Sequence, residues 1–306
     1  MPNPIKIGTR KSKLALWQAN WVKMNLEHAG IASELITMET KGDQMLDVAI
    51  ADIGTKGVFT EELEVKLANG DIDIAVHSAK DMQSVLPSGF EIIAFGPREQ
   101  SHDVLVSHRK VNLATSFVIG TSSARRTAFV KHFYPHIDIV EMRGNLQTRI
   151  SKMEHGICDA LILAYAGVHR MALDALIQET LDPEQWIPAV GQGSIAIEAH
   201  HSIDSTKKKQ IISLINHLPT QQLLLAERAY LEKFEGGCSI PVFARATYRK
   251  EMIELIGGII SLNGQQKIVR SVVGKDPLQL GLLLAHEVII AGGTDLLIDI
   301  KKQMKK

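Results

Sequence analysis

Short apolar runs alternate with helix-patterned segments along most of the chain, and this alternation constrains the fold more than any other feature. Ile5–Gly8 reads as a strand. Ser12 stands where it can cap a helix running to about His28, with Leu14, Trp17, Trp21 and Met24 on its apolar face and Gly30 as its stop. Ala32–Met38 reads as the next strand. Thr60 is expected to cap a helix that opens with Glu61 and Glu62, where negative charge suits the helix dipole, and ends at Asn69-Gly70; Ile72–His77 follows as a buried strand. The same grammar then returns. Phe117–Gly120 reads as a strand, Thr121-Ser122-Ser123 opens a helix from Ala124 to Phe133, and Ile137–Met142, Leu146–Glu154 and Ala160–Ala164 continue as strand, helix and strand. Ile7-Gly8-Thr9-Arg10 resembles Ile119-Gly120-Thr121-Ser122, and Gly70-Asp71-Ile72-Asp73 resembles Gly156-Ile157-Cys158-Asp159, in the same order. The pattern predicts two similar α/β domains.

Beyond them, Ala189-Val190-Gly191-Gln192-Gly193-Ser194 is a glycine-bounded hinge candidate. A Lys-rich helix is expected over Ser205–His217 and another over Gln221–Phe234. Strands at Val242–Tyr248, Met252–Ser261 and Lys267–Val273, then a helix over Pro277–Ala291, predict a small α+β third domain with an antiparallel sheet; the Lys-rich C-terminal end reads as a solvated tail. The expected domains are 1–96 with 194–215, then 97–193, then 216–306. The chain's 306 residues suit two or three cores. Lys+Arg and Asp+Glu both number 34, so there is no basic excess of the kind that grips nucleic acid, and no nucleic-acid partner is expected. Leu280–Leu284 and Val288–Ala291 are interrupted by His286 and Glu287 and read as too short for a membrane span. No signal core follows Met1, so a cytoplasmic location is expected. Neither Cys158 nor Cys238 belongs to a zinc-type spacing, and no metal is expected.

Charge is unevenly spread. Between Ser101 and Arg170 there are nine Lys+Arg against five Asp+Glu. Arg125 and Arg126 fall just inside a helix N-terminus, where the dipole disfavours cations. A position that worsens its own electrostatics fits an anion site built from backbone N–H groups, hydroxyls and guanidinium forks, and fits equally an arginine pair bridged to surface acids. Arg10, and Arg143 before Gly144, fall just beyond strands, and Arg149 follows; ligands gather beyond the carboxyl ends of strands in α/β sheets. In Asp73–Asp81 an apolar strand runs into His77, Ser78, Lys80 and Asp81. An acid beside cations can stabilise a developing positive charge, although the pattern alone favours a capped turn with a surface Lys–Asp pair. Cys238, in Glu235-Gly236-Gly237-Cys238-Ser239, sits on a loop after a helix and reads as a reachable thiol, whereas Cys158 beside a strand reads as buried and inert. Gly54–Thr60, with Lys56 and Phe59, reads as a mobile loop over a site.

Taken in order, these segments resemble the hydroxymethylbilane synthases (porphobilinogen deaminases) over nearly the whole chain. The resemblance rests on Ile7–Leu16, Lys56–Phe59, Val76–Asp81, Gly120–Arg126, Arg143–Arg149, Leu163–Gly167, Pro188–Gly193 and Glu235–Cys238. It implies two α/β domains like those of periplasmic binding proteins, a site in the cleft between them, and a third domain carrying the cysteine. It implies a transferase that condenses four porphobilinogen molecules, with loss of ammonia, onto a dipyrromethane cofactor joined by a thioether to Cys238, and then releases the linear tetrapyrrole by hydrolysis. Asp81 matches the catalytic aspartate. Lys80, Ser12, Thr121, Ser122, Ser123, Arg125, Arg126, Arg143 and Gly144 match cofactor-binding positions, and Arg10, Arg149, Arg170, Gln192, Phe59 and Lys56 match substrate-binding ones. The resemblance further implies a monomer.

The chain departs from the family's pattern at four places. Ala79 and Ala124 stand where larger apolar residues are usual, Met82-Gln83 follows Asp81 in place of an apolar residue and proline, and Ser194 replaces alanine. None removes a charged or nucleophilic group. A non-catalytic two-lobed anion-binding protein would explain the paired domains and the arginines but not Cys238 or Asp81; an inactive paralogue is opposed by the intact charged set; a phosphate-handling transferase lacks its phosphate loop.

Overall fold

The computed structural model describes residues 3–40, 60–234 and 240–304. Lys56, Phe59 and Cys238 lie outside the described residues. The first lobe is built on a five-stranded sheet of β1 (Ile5–Arg10), β2 (Ser33–Met38), β3 (Ile74–Ser78), β4 (Phe90–Phe95) and β10 (Ile195–His200), in the order β2-β1-β3-β10-β4. β1 pairs parallel with β2 and β3, and β10 runs antiparallel between β3 and β4. Alternation along β3 decides the two faces. Ile74 and Val76 join the cluster under α1 (Lys13–His28) and α6 (Ser205–Ile215), while Ala75 meets Leu63 and Leu67 of α2 (Glu61–Ala68).

The second lobe repeats the plan. Its sheet runs β7 (Asp138–Val140), β6 (Val118–Gly120), β8 (Ala160–Ala164), β5 (Asp103–Val106), β9 (Ile177–Thr180), with β5 antiparallel to both neighbours. α3 (Ala124–Phe133), α4 (Leu146–Glu154) and α5 (Tyr165–Arg170) complete it. Each sheet therefore has its antiparallel strand fourth in the order, and the two-fold likeness read from Ile7-Gly8-Thr9 and Ile119-Gly120-Thr121 is a likeness of β1 and β6. The third unit has an antiparallel meander β11 (Val242–Arg249), β12 (Met252–Ile260), β13 (Lys267–Gly274), covered by α7 (Leu218–Lys233) and α8 (Pro277–Val288). This is an α/β protein of two lobes that share one sheet plan, with a small α+β third unit.

The third unit touches both lobes. Phe243 stacks 4.9 Å from Phe129, which lies 5.1 Å from Trp186, so β11 shares the second lobe's core. Leu224 of α7 packs with Ala79, Met82, Phe95 and Ala196 of the first lobe.

Three expectations need correction. The buried face of α1 is Ala15, Gln18, Ala19, Val22 and Leu26, whereas Trp17 and Met24 are exposed. Small residues let the helix lie close on the sheet, and this outweighed side-chain size. Thr60 occupies the N-cap position of α2 without capping it; its hydroxyl accepts from Gln83 Nε2 instead. The C-terminal end is not a solvated tail. Past a kink at Gly292 the chain resumes as α9 (Thr294–Gln303), which buries Leu296 and Ile300. The helical run 277–303 is therefore long and apolar enough, by length and composition, to cross a membrane, and its Leu280, Leu284 and Val288 form the third unit's core.

Candidate active site

β3 delivers the site's central turn. Its last residue leads into a single 3-10 turn, Ala79–Asp81, closed by Met82 N donating to the Ala79 carbonyl. Ala79 and Met82 are both buried, so the packed side chains on either side fix the turn while Lys80 and Asp81 stay partly exposed. The hinge segment holds it from behind. Ala79 N donates to the Ser194 carbonyl at 2.9 Å, and Gly191 lies so close that a Cβ there would sit 2.9–3.0 Å from the Ala79 carbonyl group and Lys80 N. Gly191 also has φ +75°, so glycine is required on both counts.

Opposite this turn, the second lobe presents its arginines. Ser123 caps α3 by accepting from Arg126 N. Arg125 and Arg126 are buried and converge on one buried carboxylate, Asp103, at the start of β5. Arg125 Nη2 donates to Asp103 Oδ2 at 2.7 Å and Arg126 Nη2 to Oδ1 at 2.7 Å. Trp186 Nε1 and Gln192 Nε2 add bonds of 3.0 and 2.9 Å. Burial alone would raise the Asp103 carboxyl; the charges and hydrogen bonds of Arg125 and Arg126 override it and hold the group well below the usual carboxylate range. The surface-pair alternative for the two arginines is excluded. Their charges are not balanced either, because two guanidinium groups share one carboxylate.

The excess shows in the neighbours. Burial pushes the Lys80 ammonium down; Arg126 and Arg149 act in the same direction, against Asp81 and Asp103. Burial likewise pushes Arg149 down to about 10, helped by Arg126 and Arg143 and opposed by Asp81. Lys80 and Asp81 of one lobe and Arg126 and Arg149 of the other thus lie within electrostatic reach, with Arg143 beside Arg149, as a mostly cationic cluster drawn from both lobes. Such a cluster is stabilised by anionic ligand groups.

The remaining predicted residues divide between this cluster and its scaffold. Arg149 Nε donates to the Gly144 carbonyl at 2.7 Å, with Gly144 at φ +112°, and Arg143 Nε donates to Glu141. Thr121 Oγ1 accepts from Ser123 N, while the Ser122 hydroxyl is buried without a hydrogen-bond partner among the described residues. Ser12 caps α1 by accepting from Ala15 N, and Arg10 ends β1. Arg125 donates to the Ile187 carbonyl as well as to Asp103, which makes it a brace inside the second lobe. Arg170 stands apart: it donates to the Gly193 carbonyl at 2.8 Å and lies over the Trp17 ring at 5.1 Å. Gln192 is buried and spends its amide on Ser101 and Asp103. Cys158 is buried, and burial pushes its thiol up to about 11, in keeping with an inert core thiol.

Sequence reasoning missed Asp103, an acid that opens an otherwise apolar strand within the arginine-rich stretch. It also missed Arg98 and Glu227. Glu227 of α7 is fully buried and accepts from Arg98 Nη1 at 2.6 Å, Gly191 N at 2.8 Å and Ala246 N at 2.7 Å; Arg98 Nε donates to the Gln192 carbonyl at 2.9 Å. One carboxylate of the third unit thereby holds both chain crossings between the lobes.

Fold and side-chain placement together define a two-lobed α/β protein with a cationic cluster drawn from both lobes and a third unit whose Glu227 holds the chain crossings between them. Residues 5–208 match the family model "Porphobilinogen deaminase, dipyromethane cofactor binding domain", and residues 222–289 match "Porphobilinogen deaminase, C-terminal domain". The chain is 52% identical to the porphobilinogen deaminase of Desulfosudis oleivorans over 98% of each chain, and 48% identical to that of Cytophaga hutchinsonii over the full length of both. The chain belongs to the porphobilinogen deaminase family. Among solved structures, the methionine binding protein MetQ is similar at 14% identity and a TM-score of 0.45, covering 70% of this chain and 90% of that one.

Proposed function

We propose that the chain is a transferase that condenses porphobilinogen stepwise, with loss of ammonia, on a dipyrromethane primer and releases the linear tetrapyrrole hydroxymethylbilane. The observation that carries this reading is the cationic cluster of Lys80, Arg126, Arg143 and Arg149, with Asp81 in reach of Lys80 and Arg149. Pyrroles bearing acetate and propionate side chains are polyanions, and the Ser122 hydroxyl beside the capped end of α3, without a partner among the described residues, offers a further donor. The residues present therefore fit the cofactor. When bound, dipyrromethane supplies the pyrrole carbon to which new units are added.

The chain's own groups would do the rest. Lys80, Arg126, Arg143 and Arg149 bind and orient carboxylates, with Ser12, Thr121, Ser123, Arg125 and Gly144 as supports and Arg10, Arg170, Gln192, Lys56 and Phe59 on the substrate side. Asp81 accepts pyrrole N–H bonds and stabilises positive charge as ammonia leaves. Cys238 is the attachment point; the other cysteine, Cys158, is enclosed by the second lobe's core. The working domains are 1–96 with 194–215, 97–193 and 216–306, in a monomeric cytoplasmic enzyme.

The test is direct. Purified protein given porphobilinogen is expected to consume it and accumulate a linear tetrapyrrole, and its intact mass should exceed the chain mass by two pyrrole units. Cys238→Ser should lack that adduct. A folded, unmodified wild type that porphobilinogen cannot reconstitute would overturn the proposal.

A further inference from the structure

One residue next to the active-site turn is tied to two elements, by its side chain to α2 and by its main chain to α7. Gln83 lies two residues beyond Asp81. Its Nε2 donates to Thr60 Oγ1 at 3.3 Å and to Glu64 Oε1 at 3.1 Å, both in the first turn of α2. Its main-chain carbonyl accepts from Arg228 Nη2 of α7 at 2.8 Å, and the Ser84 carbonyl accepts from the same nitrogen at 3.2 Å. Between Asp81 and Gln83 stands only Met82, buried against Ala79, Phe95, Ala196 and Leu224.

We infer that Gln83 is a positioning residue for Asp81, clamping the active-site turn between α2 of the first lobe and α7 of the third unit. The inference rests on the reading of Asp81 given above. A turn of three residues has little stiffness of its own. Ala79 is anchored by the hinge, so the position of Asp81 is set by what holds the chain on its far side. Met82 supplies apolar packing there, and Gln83 supplies direction: its side chain pulls toward Thr60 and Glu64 while its carbonyl is drawn toward Arg228. Apolar contacts tolerate sliding that directional hydrogen bonds do not.

Two substitutions separate the side-chain bonds from the backbone. Gln83→Leu keeps the volume and removes both donors. Gln83→Pro also removes both donors, with a smaller side chain and no main-chain N–H, and the extended Met82 (φ −72°, ψ 142°) already has the conformation that a residue before proline requires. Each holoenzyme variant is expected to lose roughly tenfold in kcat with KM within twofold of wild type, since small misplacement of a catalytic group costs rate before binding. Each should retain the covalent pyrrole adduct, and amide exchange across residues 79–84 of the apo-protein should quicken. Gln83→Glu supplies a pH readout. The new carboxyl would face Glu64, with Glu198 of β10, His77 of β3 and Arg228 nearby. Its kcat relative to wild type should fall as pH rises and the two carboxyls can no longer share a proton.

Wild-type kcat in both Gln83→Leu and Gln83→Pro, or a loss that appears in KM alone, overturns the inference. If Gln83→Leu and Gln83→Pro fail to fold, a flat ratio of Gln83→Glu to wild type across pH 5–8 overturns it instead. If wild-type holoenzyme consumes no porphobilinogen, the functional reading fails; unchanged amide exchange at 79–84 in the variants then separately removes the clamp.

Discussion

Gln192 Nε2 lies 2.9 Å from Asp103 Oδ1 and 2.6 Å from the Ser101 carbonyl, so the strap between the lobes is bonded to the carboxylate that gathers Arg125 and Arg126. The Gln192 carbonyl in turn accepts from Arg98, which is paired with Glu227. A continuous buried polar path thus runs from the third unit, through the hinge, to the arginines of the second lobe. Buried networks of this kind hold one geometry strongly when every member is present and fail badly when one is removed.

Asp103→Asn is the sharpest probe of that path. It keeps the shape and leaves two buried guanidinium groups without their anion, which is expected to cost about 3–5 kcal/mol at neutral pH in denaturant unfolding. The folded-state pKa of Asp103 is depressed, so its stabilisation is fully present above the unfolded value and fades as pH falls below about 4. The wild type should therefore lose more stability than Asp103→Asn on going from pH 5 to pH 3. Parallel acid profiles would refute this account of the carboxylate.

Arg98→Leu strands the Glu227 carboxylate with only Gly191 N and Ala246 N as donors. A loss of about 3–5 kcal/mol is expected. Glu227→Gln removes the charge and keeps an acceptor for one of those two amides, which are held by different oxygens, so Arg98→Leu combined with Glu227→Gln should be milder than the two single losses added together. The double-mutant cycle is expected to give a coupling of more than about 1 kcal/mol; strict additivity would show that the pair does not hold the hinge.

Glu64 predicts an opposite pH dependence. Burial raises its pKa, with Thr60 opposing and Glu198 adding to the rise. The folded state therefore binds the proton more tightly than the unfolded chain, and stability declines as pH climbs above the unfolded value near 4.5. Glu64→Gln preserves an acceptor for Gln83 and removes the titration. Its Tm should exceed that of wild type at pH 7 to 8 by more than at pH 4.5, and a constant difference across that range would contradict the assignment.

Asp81→Asn should keep the pyrrole adduct and stall elongation. Removing an acceptor aimed at developing charge typically costs on the order of 10²–10³ in kcat. Quenched-flow mass analysis would show the primer without its extended forms. Near-normal turnover would remove Asp81 from its proposed role.

Much of this was readable in the residues because the signals were local. Ser12 and Ser123 cap their helices through the hydroxyls the sequence put there, and the helix opened by Thr121-Ser122-Ser123 spans Ala124–Phe133 as expected. The cationic cluster was also foreshadowed, by the charge excess around Arg125 and Arg149. What escaped notice was long-range. Asp103 meets Arg126 across 23 positions and Arg98 meets Glu227 across 129, and no periodicity reports such pairings. The face of α1 was misjudged because large apolar residues were weighted over small ones, yet Ala15 and Ala19 are the residues that fit against the sheet. The last helix was missed because the helical pattern was ended at Ala291, while Gly292, at φ +97°, only bends the run.

The placing of β10 between β3 and β4 has a bearing on how the chain is made. A nascent polypeptide that has emerged only as far as β4 lacks the strand that joins β3 to β4, and the segment that fills the slot begins 100 positions later, at Ile195. The first lobe to begin is thus the second to finish. Synthesis delivers a complete second sheet while the earlier one still waits with an open seam, and closing that seam brings the hinge into place against the Ala79–Asp81 turn.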